Sequence, residues 1–302
     1  MAECSKCGKR KTVINLEYMK EEYCGECFIN LYEKRVRKSI RKHGMIQRND
    51  KIALAVSGGK DSLSMANVLH KLNLDVVAIT IDEGICGYRD NSIEKVRNFM
   101  QEKEIPLHIY SFKEEIGVTV DEVAEEHEEQ SCSYCGVFRR KLMNKAAREL
   151  GCDKIATGHN LDDEVQTVLM NLIRSEPQRL ARMGPVTGLK DHGKFVPRIK
   201  PLRRCSEKED AVYALVNGID FDDGKCLYIN SSSRLLTREC LNKMELENPG
   251  TKFSILSSYD KMLPALREYY RGKSGDIGEC GKCGEPTSSD ECKACRMIRN
   301  LI

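Results

Sequence analysis

Short apolar runs alternate with stretches of helical period through the middle of this chain. Lys51–Val56 (KIALAV) predicts a buried strand, followed by a glycine-rich turn and a helical pattern to about Leu72. Asp75–Ile81 (DVVAITI) predicts a second strand, with a helix after it over Asn91–Lys103. Leu107–Phe112 and Asp153–Thr157 (DKIAT) supply two more strands, each trailed by helix-like sequence. Strand–helix alternation at this spacing predicts an α/β fold, a parallel doubly wound sheet with helices on both faces. Beyond Ser206 the pattern turns mainly helical, over Ser206–Asn217, Ser232–Glu247 and Tyr259–Arg271.

Composition changes this picture at one point. The 302 residues suit one large α/β domain with small appendages, or two ordinary domains. With 40% hydrophobic and 31% charged residues, the chain can bury a real core. No apolar run approaches the roughly 18 residues of a membrane span, and MAECSKCGKRK carries no secretory stretch. The expectation is a cytoplasmic protein with no membrane partner. A net charge of +3 neither favours nor excludes nucleic acid. Cysteine is the outlier: fifteen residues, which point to metal ligands and thiol chemistry rather than a disulfide scaffold.

Eight of the cysteines crowd the two ends. Cys4-x-x-Cys7 and Cys24-x-x-Cys27 are separated by sixteen residues, Cys280-x-x-Cys283 and Cys292-x-x-Cys295 by eight. Each double knuckle offers four thiolates, a closed tetrahedral shell for Zn²⁺, and Gly8, Gly25, Gly281 and Gly284 suit the turns. Closed shells read as structural staples rather than redox or catalytic zinc, and such ends need metal to fold.

Ser57-Gly58-Gly59-Lys60-Asp61-Ser62 follows the first strand and opens the next helix. A turn of this kind aims backbone N–H groups and a helix N-terminus at an anion. It is not a Walker A loop, and an isolated Gly-Gly turn could be a plain βα connection. SGGKDS resembles the pyrophosphatase loop (PP-loop) of N-type ATP pyrophosphatases, which cleave ATP between the α and β phosphates and adenylate an acceptor. Gly158-His159-Asn160-Leu161-Asp162-Asp163-Glu164 begins another helix after a strand, so two helix N-termini would flank one crevice. Asp162 and Asp163 read as Mg²⁺ ligands or water organisers; the plain alternative is helix capping. Ile81-Asp82-Glu83-Gly84 ends the second strand on the same rim, a place for adenosine contacts.

Seven cysteines remain: Cys86, Cys132, Cys135, Cys152, Cys205, Cys226 and Cys240. Cys132-Ser133-Tyr134-Cys135-Gly136 is a solitary knuckle ahead of Arg139-Arg140-Lys141. A redox pair or two buried thiols are its alternatives to a metal site. A metal site needs a further ligand, and spacing alone does not choose among Cys205, Cys226 and Cys240. Three thiolates with one iron left open would make a reactive iron–sulfur centre.

At full length the chain resembles the TtuA-like branch of the TtcA/TtuA family, tRNA 2-thiolation enzymes that include the archaeal and eukaryotic cytoplasmic wobble-uridine thiolases. The terminal CxxC pairs, SGGKDS, CSYCG followed by Arg-Arg, and ATGHNLDDE carry the likeness. So do Ile199–Leu202 (IKPL), Glu207 downstream, and Cys226-Leu227-Tyr228, where family members typically read Cys-Pro-Tyr. The terminal knots set it apart from the TtcA branch. The resemblance implies a PP-loop ATP pyrophosphatase domain flanked by N- and C-terminal zinc ribbons. It implies a 4Fe–4S cluster on Cys132, Cys135 and Cys226, with ATP and Mg²⁺ as further cofactors. It also implies ATP contacts at Ala55, Asp61, Ile81, Arg139 and Gly158, beside the cradle of Ser57, Gly58, Gly59 and Ser62. Asp61, Asp162 and Asp163 join the three cysteines as candidate catalytic residues.

The expected reaction adenylates O2 of a tRNA uridine, the wobble position being favoured, and replaces it with sulfur. The donor is free sulfide, a cysteine desulfurase or a ubiquitin-like carrier, and the assembly a homodimer. Within the class, thiolation of a T-loop uridine or a persulfide on Cys135 or Cys226 are the rivals. Outside it stand a lysidine-forming ligase and a non-catalytic RNA-binding subunit. Cys226 is the expected third ligand because Lys225–Ile229 could return to the sheet edge. Leu236 and Met244 at i±4 predict a core-facing Cys240, and Cys205 precedes a helix capped by Ser206 and Glu209.

For RNA, Lys34–Arg48 carries seven basic residues and no acid, either a phosphate-gripping helix or a solvated face. Arg267, Tyr269, Tyr270, Arg271 and Lys273 add basic and aromatic groups, whereas Glu114–Glu129 holds eight acids and reads as an exposed helix. The expected segments are a ribbon at 1–30, a basic linker helix at 31–50, the PP-loop domain with its iron–sulfur site at 51–230, a helical region at 231–275 and a second ribbon at 276–302.

Overall fold

The computed structural model describes residues 3–188, 193–228, 233–273 and 277–301. Ile14–Leu16 (β1) and Glu21–Tyr23 (β2) pair antiparallel between the first two cysteine knuckles, and Gly25–Lys42 (α1) starts inside the second. Lys51–Ala55 (β3), Lys60–His70 (α2), Asp75–Asp82 (β4), Arg89–Glu102 (α3) and Leu107–Ser111 (β5) come after it. Phe112–Glu115 (α4), Val120–His127 (α5) and Ser131–Glu149 (α6) lead to Lys154–Thr157 (β6), Leu161–Ile173 (α7), Pro177–Arg182 (α8) and Arg198–Ile199 (β7). Glu207–Val216 (α9), Ser233–Glu247 (α10) and Thr251–Arg271 (α11) come next. Gly278–Glu279 (β8), Pro286–Thr287 (β9) and Lys293–Arg299 (α12) surround the last cysteines.

Five parallel strands lie in the order β5-β4-β3-β6-β7. The chain leaves β3 toward β4 and β5, then returns to build β6 and β7 on its other side. The order therefore reverses between β3 and β6, where open α/β sheets form their ligand crevice. Residues of β3 alternate between two cores. Ile52 and Leu54 pack with Leu63, Val96 and Tyr213, while Ala53 packs with Phe112, Phe138 and Leu142. Burial on both faces is why the strand reads as a continuous apolar run. A third core of Leu161, Val165, Leu241, Leu256 and Tyr259 joins α7, α10 and α11.

Several expectations shift. Helix α11 begins eight residues before Tyr259, because Gly250, at φ +99°, is its N-cap. Its buried face includes Lys252 with Leu256, Tyr259 and Leu263, and a charge in that stripe hides the period. Cys240 does not face the core. It is exposed together with Leu236 and Met244, while Thr237 and Leu241, one position over, are buried. The acidic stretch is not one helix: Gly117, at φ +95°, separates α4 from α5, whose Val120 and Val123 are buried. The basic helix is not a free linker. Phe28, Tyr32, Val36 and Ile40 form its buried stripe, and Tyr32 stacks on Tyr213 of α9 at 4.2 Å. Ile229, the predicted helix start at Ser232 and the expected boundary between 230 and 231 lie outside the described residues.

Candidate active site

The loop after β3 is shaped by close approach. Gly58 has φ +91°, and a Cβ there would stand 2.4 Å from the Ser92 carbonyl oxygen, so no L side chain fits. Ser62 braces the turn, accepting from the Ser57 N–H at 3.1 Å and donating to the Gly59 carbonyl at 2.9 Å. Gly59, the N-cap of α2, offers no side chain, which leaves first-turn N–H groups for a ligand. Gly158, after β6, lies so near that its Cβ would meet the Ser62 backbone at 2.9 Å. The two loops thus form one crevice at the switch point. Gly58→Ala should destabilise the fold by about 1–3 kcal/mol and abolish nucleotide binding, measured by urea denaturation and calorimetry; wild-type values for both would refute the loop's role.

The acids divide by environment. Asp61, in the first turn of α2, lies 3.4 Å from Lys60, which also reaches Glu207 at 3.2 Å. Beneath it is Asp210, fully buried, which accepts from the Tyr32 hydroxyl at 2.6 Å and the Asn160 amide at 3.1 Å. Burial, then the nearby Asp61, push the Asp210 carboxyl well above its usual range. Asp162 accepts from the Glu207 N–H at 2.8 Å and from the buried Lys252. Asp163 completes a capping box with Asn160 and pairs with Arg234 at 3.0 Å. The capping alternative therefore holds for Asp163. Glu83, expected on the adenosine rim, is 5% exposed and engaged by Arg89 and Arg139.

Cys132 and Cys135 occupy the first turn of α6, one exposed and one buried. Cys132 Sγ donates to the Tyr228 carbonyl at 3.0 Å, which draws the half-buried Cys226 loop against it. Arg139 donates to Cys135 Sγ at 2.9 Å. Burial raises the thiols of both Cys135 and Cys226. Among the described residues, the sulfurs of the two terminal sets each lie within 4.8 Å of one another, and this third set is not so tight. One ion demands that closeness; a four-iron cluster, with each thiolate on a different iron, does not. Cys205 is fully buried and its thiol is pushed well up, by burial first.

The terminal sets have the character of cation ligands. At Cys4 burial opposes ionisation, yet N–H groups of Cys24, Cys7 and Lys6 outweigh it and bring the thiol down to about 6. At Cys280 the Cys292 N–H leads the same effect, again to about 6. Cys27, burdened by burial and its sulfur neighbours, is pushed up to about 12. Four thiols so crowded ionise together only around a cation.

On the surface, Arg35 turns inward to Glu209 and Tyr18, leaving Lys34, Arg37, Lys38, Arg41, Lys42 and Arg48 exposed. Arg267 is spent on the Met183 and Val186 carbonyls, both at 2.8 Å. Tyr269 remains exposed. Sequence reasoning missed Asp210, Arg89 and Lys252. Their charge in helical stripes otherwise apolar was the available signal.

Residues 30–243 match the PP-loop domain family. The tRNA 2-thiolation protein NcsA of Haloferax volcanii is 36% identical over 318 aligned positions, covering 99% of both chains. The chain belongs to the PP-loop family of tRNA 2-thiolation proteins. Another member, the tRNA-5-methyluridine(54) 2-sulfurtransferase of Pyrococcus horikoshii, is 36% identical over 97% of this chain and 93% of its own. Among solved members, the U34-tRNA thiolase NcsA of Methanococcus maripaludis with its [4Fe-4S] cluster superposes at a TM-score of 0.85. It is 35% identical and covers 99% of this chain and 96% of its own. No helix among the described residues of this member is long and apolar enough to cross a membrane.

Proposed function

We propose that the chain is an ATP-dependent tRNA-uridine 2-sulfurtransferase that releases AMP and pyrophosphate, with the wobble uridine as its target. The adjacency of an open phosphate loop and three thiols, Cys132, Cys135 and Cys226, in one chain of this family carries the reading. Near-complete superposition on a U34-tRNA thiolase supports the wobble position over the T-loop.

Uridine O2 attacks the α phosphorus of ATP and pyrophosphate departs; sulfur then attacks C2 and AMP departs. First-turn N–H groups of α2, with the cradle of Ser57, Gly58, Gly59 and Ser62, take up charge on the leaving pyrophosphate. Asp162 and Asp163 would hold Mg²⁺ on that rim, where it would share the charge. Ala55, Ile81 and Gly158 line the nucleotide side. The donor set of Cys132, Cys135 and Cys226 fits a 4Fe–4S cluster, with two thiols on one helical turn and the third on a loop against it. When bound, that cluster supplies an iron without a protein ligand, where sulfur can be presented. Two Zn²⁺ fasten the ribbons, exposed cations of α1 grip tRNA phosphates, and the working form is a cytoplasmic homodimer fed by sulfide or a ubiquitin-like carrier.

The decisive assay incubates the full chain with ATP, sulfide and transcripts offering either U34 or U54, with nucleoside analysis of the products. The expected product is 2-thiouridine at position 34 with AMP; thiolation at 54 alone would replace the target, and no ATP-dependent thiolation would end the reading. Anaerobically purified protein should contain about two zincs and one four-iron cluster per chain. Air should bleach the iron chromophore first. Release of zinc with iron untouched would show the two cysteine classes to be exchanged.

A further inference from the structure

A continuous line of charged side chains runs from the phosphate loop to the thiols. Arg89, at the start of α3 and 4% exposed, donates to the Ser57 carbonyl at 3.0 Å and to the Ile81 carbonyl at 2.5 Å. Its Nε stands 2.7 Å from Oε2 of Glu83. Oε1 of the same carboxylate lies 3.0 Å from Nε of Arg139, which reaches Cys135 Sγ at its other end. One buried carboxylate therefore holds two guanidinium groups, the first on the nucleotide loop and the second on a thiol. A buried charge needs such partners, and removing one leaves the rest uncompensated.

The joint is not fully made. Despite the 2.7 Å approach, neither Arg89 Nε nor Glu83 Oε2 has an aligned hydrogen-bond partner, so the contact is an ion pair off the N–H axis. A small rotation would convert it into a hydrogen bond, which gives the link a second arrangement close at hand. We propose, building on the ATP-dependent thiolation reading above, that Glu83 is a positioning residue coupling the two sites. Nucleotide on the loop re-aims the Ser57 carbonyl, Arg89 moves with it, and Glu83 carries Arg139 to a new setting at Cys135. Such a link would order the reaction, since sulfur delivery is useful only once a nucleotide has arrived. Coupling requires an element with two arrangements that both sites bias, and the Arg89–Glu83 joint is the one proposed to supply it.

The test uses the full chain with zinc retained and no iron–sulfur cluster assembled. Cys135 is labelled with iodoacetamide and read by peptide mass spectrometry, with and without a saturating ATP analogue that resists α–β cleavage. In the wild type the analogue should change the Cys135 labelling rate by about 2-fold or more, the low end of measured couplings. In Glu83→Gln the analogue should still bind by calorimetry, and the Cys135 rate should no longer respond. Arg139→Lys leaves Arg89 and Glu83 in place and removes the guanidinium that joins Glu83 to Cys135. It should lose the response as well, which keeps the test intact if Glu83→Gln folds poorly. A response that persists in both variants means the nucleotide shields Cys135 directly and overturns the proposal, as does a wild type that binds the analogue without responding. Failure of the wild type to bind at all would instead bring down the ATP-dependent reading, and this inference with it.

Discussion

Cys226→Ser is expected to lose the iron–sulfur cluster and all tRNA thiolation while ATP binding persists. The loss should exceed the roughly 10–100-fold that removal of an outer-shell partner costs at a metal site, because a ligand itself is gone. Cys226 sits on the loop that Tyr228 fastens to α6 through its carbonyl to Cys132, and to α5 through its hydroxyl to Asp121 at 2.7 Å. Serine keeps that loop and removes only the sulfur. The contrasting pair is Cys205 and Cys240. Cys205 is sealed in the core beside Tyr32 and Asp210, where no cluster has room, and Cys240 faces outward from α10. Cys205→Ser buries a hydroxyl, which costs about 1–3 kcal/mol of stability, yet iron content and thiolation should survive. Cys240→Ser should alter neither. Anaerobic reconstitution, iron counting and nucleoside analysis read all three, and a Cys226→Ser protein with four irons and thiolated tRNA would overturn the ligand set.

The sheet was legible because parallel strands buried on both faces leave unbroken apolar runs, as in Ile52, Ala53 and Leu54. The phosphate loop was legible because Gly58 occupies a backbone position that excludes every other residue, and such positions mark the sequence directly. The cysteine knots declared themselves by spacing. The hidden features depend on which way a helix turns. Cys240, Leu236 and Met244 make as good an apolar stripe as Thr237 and Leu241, and only packing on α7 chooses between them. Arg35 and Arg267 read as surface cations, yet they are drawn inward by acids or carbonyls far away in sequence, as is Lys252, which the sequence reading passed over. Asp162 and Asp163 look like ligands for a metal, and the sequence does not show that Glu207, Lys252, Asn160 and Arg234 also bond to their oxygens. Charge pairs across helices have no local signature. Function and capping share the same residue types for the same reason: both place an oxygen at a helix N-terminus.

Asp61→Ala is expected to stop AMP and pyrophosphate formation, by roughly 10²-fold or more, as for loss of one preorganised transition-state group. The effect on stability should have the opposite sign. Asp61 shares its ground with Asp210, two carboxyls from the first turns of α2 and α9, and burial raises the Asp61 carboxyl as well. Removing Asp61 takes a like charge away from the buried partner, while Lys60 keeps Glu207 at 3.2 Å. The nucleotide-free variant should therefore melt at or above the wild type at neutral pH. An acid whose pKa is raised by folding, as for Asp210 above its usual 3.8, stabilises the fold most at low pH. That stability drains away as pH climbs from the unfolded value toward the folded one. The relief given by Asp61→Ala should accordingly be absent below about pH 4 and grow above it. Melting curves at pH 3.5 and 7 beside an AMP-release assay check both halves. A variant that loses as much stability at pH 7 as at pH 3.5 would make Asp61 a structural residue, and wild-type AMP release would remove it from the nucleotide site. The expected pair of results, inactive yet no less stable, is the signature of a carboxylate held where the phosphates need it and the fold does not.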